Sequence, residues 1–126
     1  MKVLNIIETA YRATLEEQDD TVIWIVGAMK NANATVDVLL RGNAVNYAIK
    51  AQDASGLAFG TEAQTQPPQP AKDLAKLHEK GVRICVIDDA LRERGIERSE
   101  LIEGLDFIKR DQMAKLFGEY DRIWHW

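Results

Sequence analysis

Cysteine occurs once in these 126 residues, at Cys85. One cysteine excludes an intramolecular disulfide and any CxxC metal or redox site, so thiol chemistry, if present, rests on a single sulfur. Histidine occurs twice, at His78 and His125, far apart and without cysteines to complete a zinc motif. No long apolar run is present. The longest, residues 22–29, falls well short of the ~20 residues a bilayer needs. At the start, MKVLNII reaches Glu8 before the apolar core of a secretory signal can form, and no small-residue cleavage site follows, so a cytoplasmic location is expected. Positive charge is in deficit: 16 Lys and Arg face 20 Asp and Glu, for a formal charge of -4. Without a basic face, neither nucleic acid nor an anionic membrane is an expected partner. Nothing in the composition asks for a metal or an organic cofactor.

What is present fits one globular domain over residues 1–126, with 46% hydrophobic residues to fill a core. KVLNII (2–7), TVDVLL (35–40) and VRICVI (82–87) are short apolar runs of the kind that become strands buried on both faces. The final RIWHW reads as a further strand. Between them lie helix signals. AVNYAIKA follows the turn Arg41-Gly42-Asn43. AKDLAKLHEK has Pro70 at its start, Leu74 and Leu77 on one face and Gly81 at its end. A short helix after Asp88-Asp89 ends at Gly95, and 111–117 carries Met113, Leu116 and Phe117 on one side. TVIWIV (21–26) has strand composition, but Val22, Ile25, Val26 and Met29 also fall on a helical stripe. The crossover required between parallel strands, with Asp19, Asp20 and Thr21 available for capping, predicts a helix there. Residues 52–70 show no period and read as a long connection of the kind kept for a lid or an interface, with Leu57 and Phe59 docking somewhere. Strands alternating with helices predict an α/β fold around a parallel sheet.

In such a sheet, small ligands bind beyond the carboxyl ends of the strands. Three loops are expected there: Glu8-Thr9-Ala10-Tyr11-Arg12 and its polar continuation, Arg41-Gly42-Asn43, and Asp88-Asp89. A guanidinium, a bare glycine and free backbone N–H groups at a helix start suit an anion. The candidate ligand-binding residues are therefore Thr9, Tyr11, Arg12, Arg41, Gly42, Asn43, Asp88 and Asp89. Each also has a plainer role, Arg41 as the partner of a carboxylate and Gly42 as a turn residue. Glu16, Glu17, Asp19 and Asp20 lack the spacing of a calcium loop and suit a solvated helix start, so no metal site is assigned. His78 reads as a surface residue and His125 as the polar side of an alternating strand. Trp124 and Trp126 either close the core or cover a partner. Cys85 lies inside an apolar strand, where a thiol is buried and inert, and nearby Asp88 and Asp89 would raise rather than lower its pKa.

The order of parts, KVLNIIET, then VDVLLRGNAV, then EKGVRICVIDDALRERGIERSELIEGLDFIKRDQMAKLF, resembles the DsrE/DsrF-like proteins of bacterial and archaeal sulfur relay over nearly the whole chain. The third block is the most specific, with a glycine-led strand, a short helix ending in Arg94-Gly95-Ile96, and the SELIEG turn. The resemblance implies a three-layer α/β/α domain around a five-stranded parallel sheet, in the flavodoxin-like order 2-1-3-4-5. It further implies assembly into trimers or hexamers, of one chain or with a DsrE-like paralogue, and cytoplasmic sulfur chemistry. Active members carry a persulfide on a cysteine just after the third strand. The matching positions here are Ala90 or, in another branch, Ile87, and neither carries sulfur. The expectation is thus a noncatalytic member binding a small polar or anionic ligand, or a partner, in the crevice. The alternatives are a sulfurtransferase using Cys85, or a structural subunit that supports a cysteine-bearing paralogue.

Overall fold

The computed structural model describes residues 1–10, 19–53 and 56–126. In chain order the elements are β1 (Lys2–Ile7), α1 (Thr21–Asn31), β2 (Thr35–Leu40), a 3-10 helix (Gly42–Ala48), a small hairpin of β3 (Ala58–Phe59) and β4 (Glu62–Ala63), α2 (Pro70–Glu79), β5 (Ile84–Ile87), α3 (Asp88–Glu93), β6 (Asp106–Ile108), α4 (Met113–Phe117) and β7 (Arg122–His125). Five strands form one sheet in the order β6-β5-β2-β1-β7, and every neighbouring pair is parallel. The three central strands are the apolar runs, and Leu4, Ile7, Leu39, Leu40 and Ile84 are fully buried. Burial of each such side chain contributes about 2 kcal/mol.

Numbered by the sheet's own strands, the order is 4-3-2-1-5, which corrects the expected 2-1-3-4-5. The physical reason lies in the crossovers. From β1 to β2 to β5 to β6 each connection steps to the next strand on the same side, and right-handed crossovers then deliver their helices to one face. Accordingly α1 packs on α2, and the 3-10 helix packs on both α2 and α3. Only the link from β6 to β7 travels back across the sheet, and it carries α4 to the opposite face. Tyr120, just beyond α4, donates its hydroxyl to Asp37 of β2 at 2.9 Å. The register sets Leu4 beside Asp37, and Ile6 beside Leu39 and Cys85, so Cys85 lies on this α4 side. Among the described residues, α1, α2, α3 and the 3-10 helix cover one face and the short α4 covers the other.

Helix α1 forms from the β-branched TVIWIV run because its start is capped and its apolar face has a sheet to cover. Asp20 Oδ1 accepts from the backbone N–H groups of Val22 (2.9 Å) and Ile23 (3.2 Å), while Oδ2 accepts the Tyr47 hydroxyl at 2.7 Å. Val22, Ile23 and Val26 are buried. Helix α2 begins at Pro70 and buries Leu74 and Leu77. Its exposed His78 abuts Gly104, where a Cβ would lie 2.3 Å from His78 Nε2 and where φ is +81°. The positive φ favours glycine at 104, and a Cβ there would also push the exposed His78 ring aside.

At the amino ends of the strands, polar groups close on one another. Buried Asp37 accepts from the Arg83 N–H at 2.9 Å as well as from Tyr120, and Lys2 Nζ lies 3.7 Å from its Oδ2. The Arg83 guanidinium reaches Asp106 (2.6 Å) and Glu119 (3.0 Å), and Lys2 sits over the Tyr120 ring. Burial together with the Asp37 contact holds the Tyr120 hydroxyl pKa above its ordinary value.

Candidate functional site in the crevice beyond β1 and β2

The carboxyl ends of β1 and β2 lead into a cavity of about 480 Å³ lined by Glu8, Thr9, Ala10, Gly42, Asn43, Asn46 and Arg94. The chain turns tightly here. Arg41 N–H donates to the Ile7 carbonyl (3.0 Å) and Ala44 N–H to the Glu8 carbonyl (3.2 Å), which ties the start of the 3-10 helix to the end of β1. Gly42 adopts φ +55°, and a Cβ there would lie 3.2 Å from Glu8 Cγ. Glycine is thus demanded by backbone conformation and by the approach of Glu8.

Two guanidinium groups, those of Arg41 and Arg94, define the electrostatics. Arg41 Nε lies 3.7 Å from Glu8 Oε1, while His125 Nε2 contacts Glu8 Oε2 at 2.6 Å. Arg94 follows the last turn of α3 and reaches back across the loop. Its Nε and Nη2 donate to Asn43 Oδ1 at 3.2 and 2.9 Å, and Nη1 donates to the Ala90 carbonyl at 3.1 Å. The carboxylate near Arg94 is Glu93 at 3.8 Å, and Glu93 is itself gripped by Arg110 at 2.6 and 2.9 Å. Arg94 therefore brings charge to the cavity wall with neutral oxygens as its hydrogen-bond partners. Asn46 fixes the same loop by donating to the Asn43 carbonyl at 2.8 Å.

The structure brings Thr9, Gly42 and Asn43 together as cavity lining, with Arg41 adjoining through Glu8. Tyr11 and Arg12 lie outside the described residues, as do Glu16 and Glu17. Asp88 and Asp89 do not line this cavity. Asp88 Oδ1 accepts from Arg98 Nη2 at 3.1 Å, and Asp89 Oδ1 accepts from the Arg110 backbone N–H at 2.8 Å. That backbone donor, with Arg92 and Arg110 nearby, holds the Asp89 carboxyl below the ordinary aspartate value. Their displacement follows from strand order: β5 is separated from β1 by β2. Arg94, Asn46, Glu8 and His125 were not among the candidate residues. For Arg94 a signal existed, since a long cation just past the end of a six-residue helix that starts at a strand end can reach back to the crevice.

Cys85 lies in β5, paired with Leu39 and Asp106, and is fully buried. Burial pushes its thiol up to about 12, with Arg83 acting in the opposite direction and Asp106 and Asp37 adding to the rise. It lies within the strand rather than beyond its end. Among the described residues no group of three or more His, Cys, Asp or Glu is arranged to hold a metal ion, and no helix is long and apolar enough to cross a membrane.

A sequence model of the DsrE/DsrF-like family matches residues 1–125. The chain belongs to this family. Solved structures share its fold: the ychN protein from E. coli is 15% identical with a TM-score of 0.71, over 99% of this chain and 98% of that one. The MTH1491 protein of unknown function from Methanobacterium thermoautotrophicum is 18% identical (TM-score 0.61, 97% and 96% covered). The conserved protein BT1422 of unknown function from Bacteroides thetaiotaomicron is 15% identical (TM-score 0.68, 99% and 95% covered). No curated protein matches the sequence. The DsrE-like assignment agrees with the five-stranded parallel sheet and connects the chain to sulfur relay at the level of the family. At the two positions where the resemblance calls for the persulfide cysteine stand Ile87 and Ala90, both buried.

Proposed function

We propose that this DsrE-like protein is a noncatalytic member that binds a small anion in the crevice beyond β1 and β2. The observation that supports this most is Arg94, a guanidinium at the wall of a polar cavity whose hydrogen bonds end on an amide oxygen and a carbonyl. An oxyanion entering there would meet Arg94, the Asn43 amide, the Thr9 hydroxyl and, if it displaced Glu8, Arg41. Charge-assisted hydrogen bonds of this kind contribute more than neutral ones. Gly42 keeps the loop close to Glu8 so that the cavity stays open.

Thermal denaturation in the presence of sulfate, thiosulfate, phosphate or acetate tests this reading. At least one of the tetrahedral anions should raise the midpoint saturably, and Arg94→Ala should abolish the rise; equal stabilisation of both proteins removes Arg94 from the site. Sulfur carriage on Cys85 is disfavoured by its burial, its raised pKa and its place on the α4 face. A persulfide donor that adds no sulfur mass to the folded protein would agree with a noncatalytic role, whereas a stoichiometric adduct on Cys85 would reinstate sulfur transfer.

A further inference from the structure

The crevice beyond β1 and β2 holds one group that a site for anions does not by itself require. Glu8 lines the cavity together with Thr9, Asn43 and Arg94, so a carboxylate faces the same space as the donors. It is fixed in place. The Glu8 N–H donates to the Trp126 carbonyl at 3.0 Å and the Glu8 carbonyl accepts from the Ala44 N–H at 3.2 Å, which ties this residue both to the chain beyond β7 and to the 3-10 helix. At 42% side-chain exposure, the carboxylate is open to a ligand in the cavity.

Donors and acceptor both keep capacity. The hydrogen bonds of the Arg94 guanidinium end on Asn43 Oδ1 and the Ala90 carbonyl, and they use only part of the five N–H groups that a guanidinium carries. Asn43 has its amide oxygen occupied by Arg94 and offers a ligand its NH2. An ionised carboxylate only accepts, at about four positions. His125 Nε2 takes one of them on Oε2 at 2.6 Å, whereas Arg41 Nε stands 3.7 Å from Oε1, within Coulombic reach but beyond a hydrogen bond. Oε1 therefore has room for an incoming O–H.

Resting on the anion reading of the crevice, we infer that the oxyanion it takes is hydrogen phosphate, with the ion's O–H donated to Glu8 and its other oxygens on Arg94, the Asn43 amide and the Thr9 hydroxyl. Sulfate and thiosulfate have acceptor oxygens only, and one of these would be set against Glu8 with no proton between them. An acceptor left facing an acceptor is how a site rejects a ligand of the same shape and charge. Arg41 beside Oε1 offsets the repulsion between the carboxylate and the ion. Glu8 is thus the residue that decides which oxyanion is held.

Calorimetric titration of the full chain at about pH 8 tests this, because phosphate there carries the same charge as sulfate and differs from it by one O–H. Phosphate should bind at least about tenfold more tightly than sulfate. Methyl phosphate, an ester that loses its last acidic proton near about pH 6, should follow sulfate. Glu8→Gln, with folding checked by circular dichroism, should close most of the gap by strengthening sulfate, since an amide NH2 can donate to it. Arg94→Ala should weaken both ions together. A carboxylate that merely repelled anions would give equal tightening of both ions in Glu8→Gln. That result, equal affinities in the wild type, or methyl phosphate bound as tightly as phosphate would overturn the role of Glu8 and leave the anion site standing. Binding of none of the three ions would remove the site itself, and this role with it.

Discussion

The two ends of the same central strands are built on opposite principles. At the amino ends, Asp37 is buried and receives the Arg83 N–H and the Tyr120 hydroxyl, and the Arg83 guanidinium spans Asp106 and Glu119. Donors there meet acceptors inside the protein, so the end is closed. At the carboxyl ends, a cavity remains, Glu8 is shared between Arg41 and His125, and Arg94 rests on an amide oxygen. Saturated polar networks hold a fold together, and networks with charge left over are where a ligand finds something to bind.

Substitutions at the two ends should separate these roles. The largest loss of stability is expected from Asp37→Ala, which leaves the partly buried Arg83 N–H and Tyr120 hydroxyl unpaired and Lys2 without its carboxylate, at about 3 kcal/mol. Urea unfolding measures it, and a loss as small as that of an exposed substitution would show that the closed end is not a structural lock. Next is Gly104→Ala, where the +81° φ and the 2.3 Å approach to His78 act together, at about 2 kcal/mol. Combining it with His78→Ala should recover the steric part only. At the open end, Gly42→Ala should cost about 1 kcal/mol and also move Glu8, so anion stabilisation should fall along with stability.

A pH experiment probes the flank of α2. Asp73 is raised to about 6, chiefly by burial and then by the neighbouring Asp19 carboxylate, with Lys76 opposing. A carboxyl whose folded pKa lies above its unfolded value of 3.8 contributes stability that is complete below the unfolded value and lost as pH rises through the folded one. Wild-type protein should therefore lose stability relative to Asp73→Asn between about pH 4 and pH 7. A difference independent of pH would contradict the partial burial of Asp73 beside the Asp19 carboxylate. The smallest effect is expected at Cys85. Its thiol should react with a maleimide only after unfolding, and Cys85→Ala should cost about 1 kcal/mol while leaving anion binding unchanged.

Much of this architecture was legible from residues alone. The runs 2–7, 35–40 and 82–87 became strands because a strand buried on both faces leaves an uninterrupted apolar signature, and Asp20 with the crossover requirement identified α1 as a helix against its own β-branched composition. Strand order was not legible. It depends on which edge each crossover steps toward, and local periodicity carries no record of that choice. Asp106–Ile108 escaped notice because three residues at a sheet edge show no period, and the β3–β4 hairpin for the same reason. The order error carried through to the site: with β2 between β1 and β5, Asp88 and Asp89 fell among Arg92, Arg98 and Arg110 rather than in the crevice. Glu8 and His125 meet only because β7 lies beside β1, a pairing formed by residues at opposite ends of the chain.

The contrast between the two ends is tested most directly by following backbone amide and arginine Nε resonances while sulfate is titrated into the protein. Saturable shifts confined to Thr9, Gly42, Asn43 and Arg94, with Arg83 and Tyr120 silent, are the predicted result. Shifts that are linear and scattered over the surface, or that persist unchanged in Arg94→Ala, would contradict an anion site at the open end of the sheet.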